Sequence, residues 1–414
     1  MPNPTDSGNR PTLRVAEARR LIVDALSPVA GWETVPIRAA LDRVLLKDVV
    51  APFDVPAHDN SAMDGYALRA ADLAAAGATR LTVVGTALAG KPFSGAVGAG
   101  QAVRIMTGAV LPRGADTVVV QEVAKAEGDQ VAIPPGQAAG ENVRHAGEDL
   151  ARGRTALPAG RRLGPADIGL LASLGFAEVP VRRRLRVAFF STGDEIASIG
   201  RPLAPGEVYD SNRYTLYAAL TRLGVELIDM GVVRDDPAAL EAALREASAQ
   251  ADVVLTSGGV SVGEADFVRA LMARLGDVAF WKIDIKPGRP MAFGRIGNAW
   301  LFGLPGNPVA VVVTFCQVVL DGLYRLMGVE PRPLRPRFPV VSLSAMRKTP
   351  GRREYPRGRL IEEGGVLKVK LAGPQGSGVL SSVADANCFI VLAEDRDDVA
   401  VGDLVDVQPF DDIA

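Results

Sequence analysis

The strongest chemical signal in the sequence is the glycine-rich stretch SGGVSVGEAD at residues 257–266. The apolar run before it is typical of a buried parallel strand, and the spacing after it predicts a helix. Such a junction leaves N–H groups unpaired at the helix start, where they favour an anion such as a phosphate. Ser261 and Glu264 have the spacing of a capping box, and Asp266 adds a carboxylate. We therefore expect a phosphorylated substrate held with a divalent metal, and an ordinary βα turn is the alternative.

Two further junctions have the same pattern. A strand-like run at 186–190 leads into STGDE at 191–195, and another at 300–304 leads into PGNP at 305–308. Because ligands of open parallel sheets bind beyond the carboxyl ends of the strands, three strand-to-helix turns predict a site at one sheet edge. The substrate-binding residues expected at the first and third junctions are Ser257, Gly258, Gly259, Ser261, Pro305, Gly306, Asn307 and Pro308.

A long apolar segment follows the third junction. Val309–Tyr324 is apolar nearly all round, and Arg325 comes directly after it. The segment is short for a membrane span, so we interpret it as a buried helix and expect no membrane partner. Asn307 can cap this helix, and Pro308 can occupy its first position, where the missing N–H costs nothing.

Two turn-prone loops carry further polar groups. The loop at 56–66 holds Asp59 and Asp64 with an amide and a hydroxyl, which is dense for a solvated loop, although Asx-turns are the alternative. A second polar loop, GENVRHAGED, lies at 140–149. His58 beside Asp59 is interpreted as exposed. Asp235 follows a strand-like run. It is interpreted as a carboxylate of the site, and a helix N-cap is the alternative.

A cationic segment adds positive charge. KIDIKPGRP at 282–290 alternates charged and apolar residues, which places Lys282 and Lys286 on one face of a strand. The Pro-Gly turn then lets Arg289 point into the same region. Three cations together form a receptor for an oxyanion or phosphate, and a solvated strand face is the alternative.

Composition limits the class of protein. The chain has 414 residues, a formal charge of -2, two histidines and two cysteines. The charge argues against a nucleic-acid partner, and the histidine count excludes a multi-histidine metal centre, which leaves oxygen ligands suited to Mg²⁺. The first eleven residues lack the apolar core of a signal peptide, so we expect a cytoplasmic protein.

The succession of patterns predicts a multidomain α/β fold. Helical periodicity with short extended pieces predicts an extended amino-terminal linker domain at 12–51 and 146–181, and glycine-rich strands predict a β-rich insertion domain at 52–145. Alternating strands and helices predict a parallel α/β/α three-layer domain at 182–329. A proline-rich linker and alternating residues then predict a small carboxy-terminal β-barrel at 330–414, with a sandwich as the alternative.

Taken together, these motifs resemble those of the molybdopterin molybdenumtransferases, a family related to the E domain of gephyrin. They run in order through nearly the whole chain beyond the amino-terminal tail, and the set is highly specific. The α/β part alone also resembles molybdopterin adenylyltransferases. The motifs are DNSAMDGY at 59–66, RIMTGA at 104–109, STGDE at 191–195, the stretch at 257–266, KPGRP at 286–290 and LPGNPV at 304–309.

The resemblance implies an enzyme that takes adenylylated molybdopterin and molybdate as substrates. It implies Mg²⁺-dependent hydrolysis of the adenylate, release of AMP, and insertion of molybdenum to give the molybdenum cofactor. It also implies a homodimer, held by the linker domain, in which the insertion domain of one subunit faces the α/β domain of the other. Molybdopterin adenylyltransferase and apo-molybdoenzymes are the further partners that the resemblance implies.

Residue roles follow from matching motif positions. Asp266, Glu195 and Asp235 would be catalytic and would hold the metal, with Asp59 and Asp149 as further catalytic residues. Thr107 and Arg144 would bind substrate from the insertion side, and Lys286 and Arg289 would lie beside molybdate. Many relatives have lysine at the position of Arg289 and serine at the position of Ala310. A guanidinium keeps the charge but changes the donor geometry.

Two other functions remain as alternatives. The first is a molybdopterin adenylyltransferase built on the same α/β domain, against which the extra terminal regions and the 59–66 motif argue. The second is a non-enzymatic scaffold of the gephyrin type, which would have no need for the site carboxylates.

Overall fold

The computed structural model describes residues 12–258 and 265–410, without the side chains of residues 265–269. The expected binding residues Gly259 and Ser261, and the capping box, lie outside the described residues. The chain forms two compact units. The first unit comprises Met1–Leu46, Gly160–Gly164 and Val179–Ala414, and the second comprises Lys47–Ala159 and Pro165–Glu178.

The first unit begins with helix α1 (Val15–Ala25) and strand β1 (Trp32–Pro36). Val15, Ala18 and Ile22 are buried, at the spacing of one helix face. They belong to the large hydrophobic core of the first unit.

The second unit is β-rich, as the sequence predicts. A six-stranded sheet runs in the order β7-β4-β6-β5-β9-β8, with one apolar cluster around Leu68 and Val119 and another around Ala67 and Val118. Its elements are β2 (Val49–Val50), β3 (Asn60–Ser61), β4 (Gly65–Leu68), β5 (Thr79–Ala87), β6 (Gln101–Ile105), β7 (Thr117–Val120), β8 (Lys125–Glu127), β9 (Gln130–Ile133), β10 (Val143–Arg144), β11 (Thr155–Leu157) and α2 (Pro165–Ser173).

The α/β part of the first unit is built on a second six-stranded sheet. Its order is β16-β13-β17-β21-β20-β18. The elements are β12 (Glu178–Arg182), β13 (Arg186–Thr192), β14 (Ile196–Ala197), β15 (Val208–Tyr209), α3 (Ser211–Leu223), β16 (Glu226–Val233), α4 (Pro237–Gln250), β17 (Val253–Ser257), α5 (Ala265–Leu275), β18 (Gly276–Lys282), β19 (Ile285–Lys286), β20 (Pro290–Ile296) and β21 (Ala299–Leu304).

The four strands β16, β13, β17 and β21 are parallel, which confirms the parallel α/β core. Strand β20 runs antiparallel to both of its neighbours, a feature that the sequence patterns did not reveal. The three predicted strand ends therefore lie at one edge of the sheet, where β13, β17 and β21 finish side by side.

The junction after β13 differs from the prediction. The chain after β13 does not enter a helix directly, since β14 and β15 form a short parallel pair before α3 begins at Ser211. The intervening segment at 198–206 contains two prolines and two glycines, which favour turns and cannot sustain a helix. The true helix cap is Asp210, whose carboxylate accepts a hydrogen bond from the Arg213 N–H at 3.1 Å.

The apolar segment after β21 is a helix, as predicted. It consists of α6 (Pro308–Thr314), a π-helical turn (Phe315–Val319) and α7 (Leu320–Met327). Within the described residues it is the one helix that is long and apolar enough to cross a membrane. However, 83% of its most apolar 18-residue stretch is buried inside the protein. This burial is that of a core helix, so the interpretation of a buried helix is confirmed.

The carboxy-terminal part of the first unit is a closed barrel with the strand order β22-β25-β24-β26-β27, which decides against a sandwich. Strand β23 lies outside that order and pairs in parallel with β19. The elements are β22 (Phe338–Ser342), β23 (Arg353–Glu354), β24 (Arg357–Glu363), β25 (Val366–Leu371), α8 (Ser381–Ala384), β26 (Cys388–Val391) and β27 (Leu404–Pro409).

Close approach of α1 to α7 generates a stability prediction. A Cβ on Gly322 would lie 2.8 Å from Ile22 Cγ2 and 3.1 Å from Leu26 Cδ1, so Gly322→Ala overpacks this contact. We expect the substitution to lower the free energy of unfolding by about 1–3 kcal/mol. Gly169→Ala in α2 is the matched control, because nothing lies within 4 Å of its added Cβ. There we expect a gain of about 0.5–1 kcal/mol.

Calorimetric unfolding of both variants checks this expectation. Equal effects of the two substitutions would show that α1 does not pack closely on α7.

Candidate functional site

A cleft of about 1380 Å³ opens at the predicted sheet edge of the first unit. One wall consists of the loops after β13, β17 and β21, together with the turn at 286–290. The facing wall comes from the barrel part, at 345–347, 352–357 and 371–380. The strand ends therefore meet at a concave site, as the sequence predicts.

Three carboxylates line one side of this cleft. Asp194 and Glu195 follow β13, and Asp235 follows the neighbouring strand β16. The Asp235 N–H lies 3.4 Å from Asp194 Oδ1. The Glu195 carboxylate folds back over Gly193, since a Cβ on that glycine would lie 2.6 Å from Glu195 Oε2. The structure thus places Glu195 and Asp235 on the same cleft and adds Asp194.

The third predicted carboxylate lies on α5. Asp266 is the second residue of that helix, but its side chain is outside the described part of the structure. Ser257 and Gly258 at the end of β17 line the cleft directly. Gly258 adopts a φ of +92°, and a Cβ there would lie 2.4 Å from the Thr192 carbonyl oxygen. Only glycine fits this close approach of the two loops.

The donor set suits a hard cation such as Mg²⁺. Over the described residues, the structure contains no group of three or more His, Cys, Asp or Glu side chains placed to hold a metal. Mg²⁺ does not need one, because it is usually bound by one or two carboxylates, several waters and the phosphates of a substrate. Glu195 and Asp235 offer oxygen ligands of this kind, so the residues fit the ion.

The turn at 286–290 adds positive charge to the cleft. Lys286 and Arg289 both line it, and Gly288 between them has a φ of +107°. Lys286 Nζ lies 3.0 Å from the Glu354 carboxylate, which is buried. Sequence patterns gave no sign of this partner, because β19 pairs with β23 across a long stretch of chain. Lys286 is therefore shared between the protein and any bound anion.

Lys282 is not brought to the cleft. It is the last residue of β18, where it pairs with Pro290, and its side chain is exposed away from the cleft lining. The strand that the sequence predicted across 282–286 is interrupted between β18 and β19, so the two lysines do not share one strand face. Of the three predicted cations, the structure places Lys286 and Arg289 at the cleft and Lys282 outside its lining.

The barrel supplies cations that sequence analysis missed. Arg347, Arg352 and Arg357 line the cleft from the barrel side. Arg357 is buried and donates to Ser382 Oγ at 3.0 Å and to the Gly376 carbonyl at 3.1 Å. Burial lowers the pKa of its guanidinium to about 10, so Arg357 stays protonated at neutral pH. The dense run of arginines at 352–359 was the signal available in the sequence.

The third junction also lines the cleft. Pro305, Gly306, Asn307 and Pro308 all contribute to it, as does Ala310. Asn307 occupies the N-cap position and Pro308 the first helical position, as predicted, but the Asn307 side chain makes no capping hydrogen bond.

The predicted residues of the second unit form a separate polar edge. Strands β3 and β10 pair antiparallel, with Arg144 opposite Asn60. Asp59 accepts a hydrogen bond from the Ala146 N–H at 2.8 Å, and its carboxylate lies 3.4 Å from His145 Nδ1. The Ala146 hydrogen bond is the main cause that lowers the pKa of Asp59. The histidine partner is thus His145 and not the neighbouring His58.

Thr107 joins this edge through a carboxylate that sequence analysis did not assign. Asp64 Oδ1 accepts hydrogen bonds from the Thr107 N–H at 2.7 Å and from its hydroxyl at 2.8 Å. These bonds lower the pKa of Asp64 below its ordinary value of 3.8. Asp149 lies in the loop that follows Arg144, and its N–H donates to the Val55 carbonyl at 3.1 Å.

Three family models match the chain. The model for the MoeA N-terminal region (domain I and II) matches residues 13–175, and the model for a probable molybdopterin binding domain matches residues 188–325. The model for the MoeA C-terminal region (domain IV) matches residues 339–410. Together they span all parts of the fold described above.

Individual relatives agree with these models. The molybdopterin molybdenumtransferase of Haemophilus influenzae is 42% identical and covers 96% of this chain and 98% of its own length. Molybdopterin molybdenumtransferase 2 of Mycobacterium tuberculosis is 38% identical over 94% of this chain and 97% of its own. A solved structure of a molybdopterin biosynthesis moeA protein from Pyrococcus horikoshii is similar with a TM-score of 0.83 and 30% identity, covering 97% of this chain and 100% of that one.

The Asp64–Thr107 contact generates a pH prediction. Because the pKa of Asp64 is lower in the folded chain, its contribution to stability is complete above about pH 4 and is lost as pH falls through the folded pKa. We expect Asp64→Ala to lower the melting temperature at pH 7 and to have a shrinking effect below pH 4. Thr107→Ser keeps both donors and is the control.

Thermal unfolding of wild type and both variants across pH 2–7 measures this difference. A deficit in Asp64→Ala that stays constant down to pH 2 would contradict the role of the ionised carboxylate.

Proposed function

Because this chain belongs to the molybdopterin molybdenumtransferase family, an enzyme family of molybdenum cofactor biosynthesis, we propose that it inserts molybdate into adenylylated molybdopterin. The adenylate is hydrolysed in a Mg²⁺-dependent step, and AMP and the molybdenum cofactor are released. One observation carries this proposal: carboxylates from the strand ends, and cations from the 286–290 turn and the barrel, line one cleft. A metal-bound phosphate and an oxyanion need these two kinds of group next to each other.

The carboxylates of the cleft serve the adenylate. Asp266, Glu195 and Asp235 would hold Mg²⁺, which supplies positive charge against the phosphate when it is bound. The chain's own groups orient the phosphate, with the backbone around Ser257 and Gly258, and Gly259 and Ser261 beyond them, as donors. Asp266 supports hydrolysis from the start of α5. Support for these roles comes from the shared strand-end position of Glu195 and Asp235.

The cations of the cleft serve molybdate. Arg289 is an exposed guanidinium in the cleft, and Lys286 is half exposed at the same turn. A dianion that contacts both gains charge-assisted hydrogen bonds. Arg289 can present two parallel N–H groups to one oxyanion, which a lysine at this position could not. The Pro305–Pro308 loop lines the same cleft, whereas Lys282 lies outside the lining.

We further propose that the working unit is a cytoplasmic homodimer. Four large apolar or aromatic side chains around β15 and α3 are between 42% and 51% exposed, which suits a surface covered by a second copy. They are Val208, Tyr209, Tyr214 and Tyr217. Asp59, Thr107, Arg144 and Asp149 of one subunit would then serve the cleft of its partner, with the linker domain at 12–51 and 146–181 holding the dimer. The remaining proposed domains span residues 52–145, 182–329 and 330–414. The further partners that we propose are molybdopterin adenylyltransferase and apo-molybdoenzymes.

The alternatives explain less of the chain. A molybdopterin adenylyltransferase would not account for the matches at 13–175 and 339–410. A scaffold would not account for Arg289, Arg347 and Arg352 lining one cleft together with Asp194, Glu195 and Asp235.

An assay of AMP release tests the reaction. Purified protein mixed with adenylylated molybdopterin, Mg²⁺ and molybdate should release AMP, and Asp266→Asn should release it at least about 100-fold more slowly while binding the substrate normally. Asp277→Asn, on β18 outside the cleft, is the matched control and should keep full activity. Wild-type release by a well-folded Asp266→Asn would remove Asp266 from the mechanism, and no release by wild type would refute the proposed reaction.

Mixed dimers test the shared site. Asp59→Ala and Asp266→Ala subunits should each be inactive alone, because each lacks a group that the site requires. After subunit exchange, each mixed dimer should regain one intact site, and part of the activity should return. A mixture that stays inactive although exchange is confirmed by mass would show that each site is built within one chain.

A further inference from the structure

A second cavity, of about 420 Å³, lies in the first unit beside the proline-rich linker that leads to the barrel part. Four arginines from α1 and the linker line it, together with one carboxylate of α7 and one from the turn after that helix. These residues are Arg19, Arg332, Arg335 and Arg337, with Asp321 and Glu330. In the described part of the chain, this arginine pocket shares no lining residue with the cleft. The site described above therefore does not account for it.

A π-helical turn fixes two of these arginines. The turn Phe315–Val319 presents the Cys316 carbonyl to Arg335 Nη1, which donates a hydrogen bond to it. The next carbonyl, that of Gln317, accepts a hydrogen bond from Arg19 Nε, and Gln317 Oε1 accepts one from Arg19 Nη2 at 2.9 Å. Single π-helical turns are frequent at functional sites. Here the turn holds two guanidiniums in place before any ligand arrives.

The carboxylates of the pocket do not neutralise its positive charge. Arg19 Nε lies 3.6 Å from Asp321 Oδ2, and Arg335 pairs with the other oxygen of the same carboxylate. Burial, and then the neighbouring Arg335, lower the pKa of Arg19 to about 10, so this guanidinium stays charged at neutral pH. One largely buried aspartate thus serves two largely buried cations. The whole lining has four arginines against two carboxylates, an excess that favours an anion of charge −2.

Arg337 extends the same polar cluster and keeps donors to spare. Arg337 Nε donates to Gln408 Oε1 at 3.4 Å, and Gln317 Nε2 donates to the same oxygen at 3.4 Å. Gln317 thereby connects Arg337 to Arg19. Among the residues that the structure describes, the terminal nitrogens of Arg337 and the guanidinium of Arg332 have no partner. Both arginines are exposed, and such free donors suit the oxygens of a bound oxyanion.

We propose that the arginine pocket binds a tetrahedral oxyanion of charge −2, such as sulfate or doubly ionised phosphate. Arg19 and Arg335 hold the ion from the protein side, and Arg337 completes the site from the linker. A free inorganic ion and the terminal phosphate of an ester offer the same chemistry, and the experiment separates them. Because α1, the linker and β27 all line the pocket, the bound ion ties the amino-terminal helix to the barrel part. This site does not depend on the proposed function.

Equilibrium dialysis with radiolabelled sulfate counts the ions bound per chain. Wild type should bind about one ion more than the variant with Arg332→Gln and Arg337→Gln, whether or not the cleft also binds sulfate. Each lost charge-assisted hydrogen bond should weaken the site about tenfold or more. Arg359→Gln is the matched control, because Arg359 is an exposed arginine of β24 in neither lining, and it should bind as wild type does. Equal numbers of ions and equal affinity in wild type and the double variant would overturn the assignment.

Competition with labelled sulfate defines the ligand. Perchlorate has the tetrahedral shape of sulfate with half its charge, so at equal ionic strength it should compete for the pocket at least about tenfold less strongly. Glycerol phosphate that competes as strongly as phosphate shows that the pocket takes esters, and weaker competition shows that it takes the free ion. Perchlorate that competes as strongly as sulfate would refute a site for a dianion.

Thermal unfolding separates binding from a structural role of the two exposed arginines. An ion that binds only the folded chain raises the melting temperature. Sulfate should therefore raise it more in wild type and in Arg359→Gln than in the double variant, while the melting temperatures without sulfate stay alike. A lower melting temperature of the double variant without sulfate, with the same sulfate-dependent rise as wild type, would show that these arginines are structural and bind no ion.

Discussion

The cleft depends on a short parallel ladder between Ile285–Lys286 and Arg353–Glu354, which joins the barrel part to the α/β part. Its backbone bonds run from the Arg353 N–H to the Asp284 carbonyl and from the Tyr355 N–H to the Lys286 carbonyl, each at 3.0 Å. The Glu354 side chain is only 7% exposed, and an unpaired carboxylate there would be costly. Lys286 therefore holds the two walls together and also presents positive charge to the cleft.

This arrangement fixes two cations of the cleft in place. Lys286 is largely compensated by Glu354, and buried Arg357 is held by hydrogen bonds to Ser382 and two carbonyls, so both are fixed before any ligand arrives. Donors already fixed by the protein cost little reorganisation when charge arrives. Arg289 and the exposed barrel arginines supply the excess positive charge. Asp194, Glu195 and Asp235 follow β13 and β16, so the carboxylates and these cations are held by different elements.

The sequence predicted the parts of the site that local patterns encode. Glycine-rich turns after apolar strands located Ser257, Gly258 and the 305–308 loop, because the strand and turn signals are adjacent in the chain. It could not reveal Glu354, because its partner Lys286 lies tens of residues away and is chosen by tertiary packing. The sequence also predicted Lys282 and Lys286 on one strand face. The break between β18 and β19 leaves the alternation of charged and apolar residues unchanged, so the pattern gave no sign of it.

The amino-terminal helix completes a core made much later in the chain. The Leu13 N–H donates to the Lys282 carbonyl and the Val29 N–H to the Leu326 carbonyl, both at 2.8 Å, while Ile22 packs against Gly322. Such contacts join residues that are far apart in the sequence, which gives a high contact order. The chain therefore loses the entropy of closing a long loop before these contacts can stabilise it. During synthesis α1 leaves the ribosome about 300 residues before its partner helix does. Closure of this core is therefore a late event in folding, and a fragment that begins at residue 182 would leave the α7 surface open to solvent.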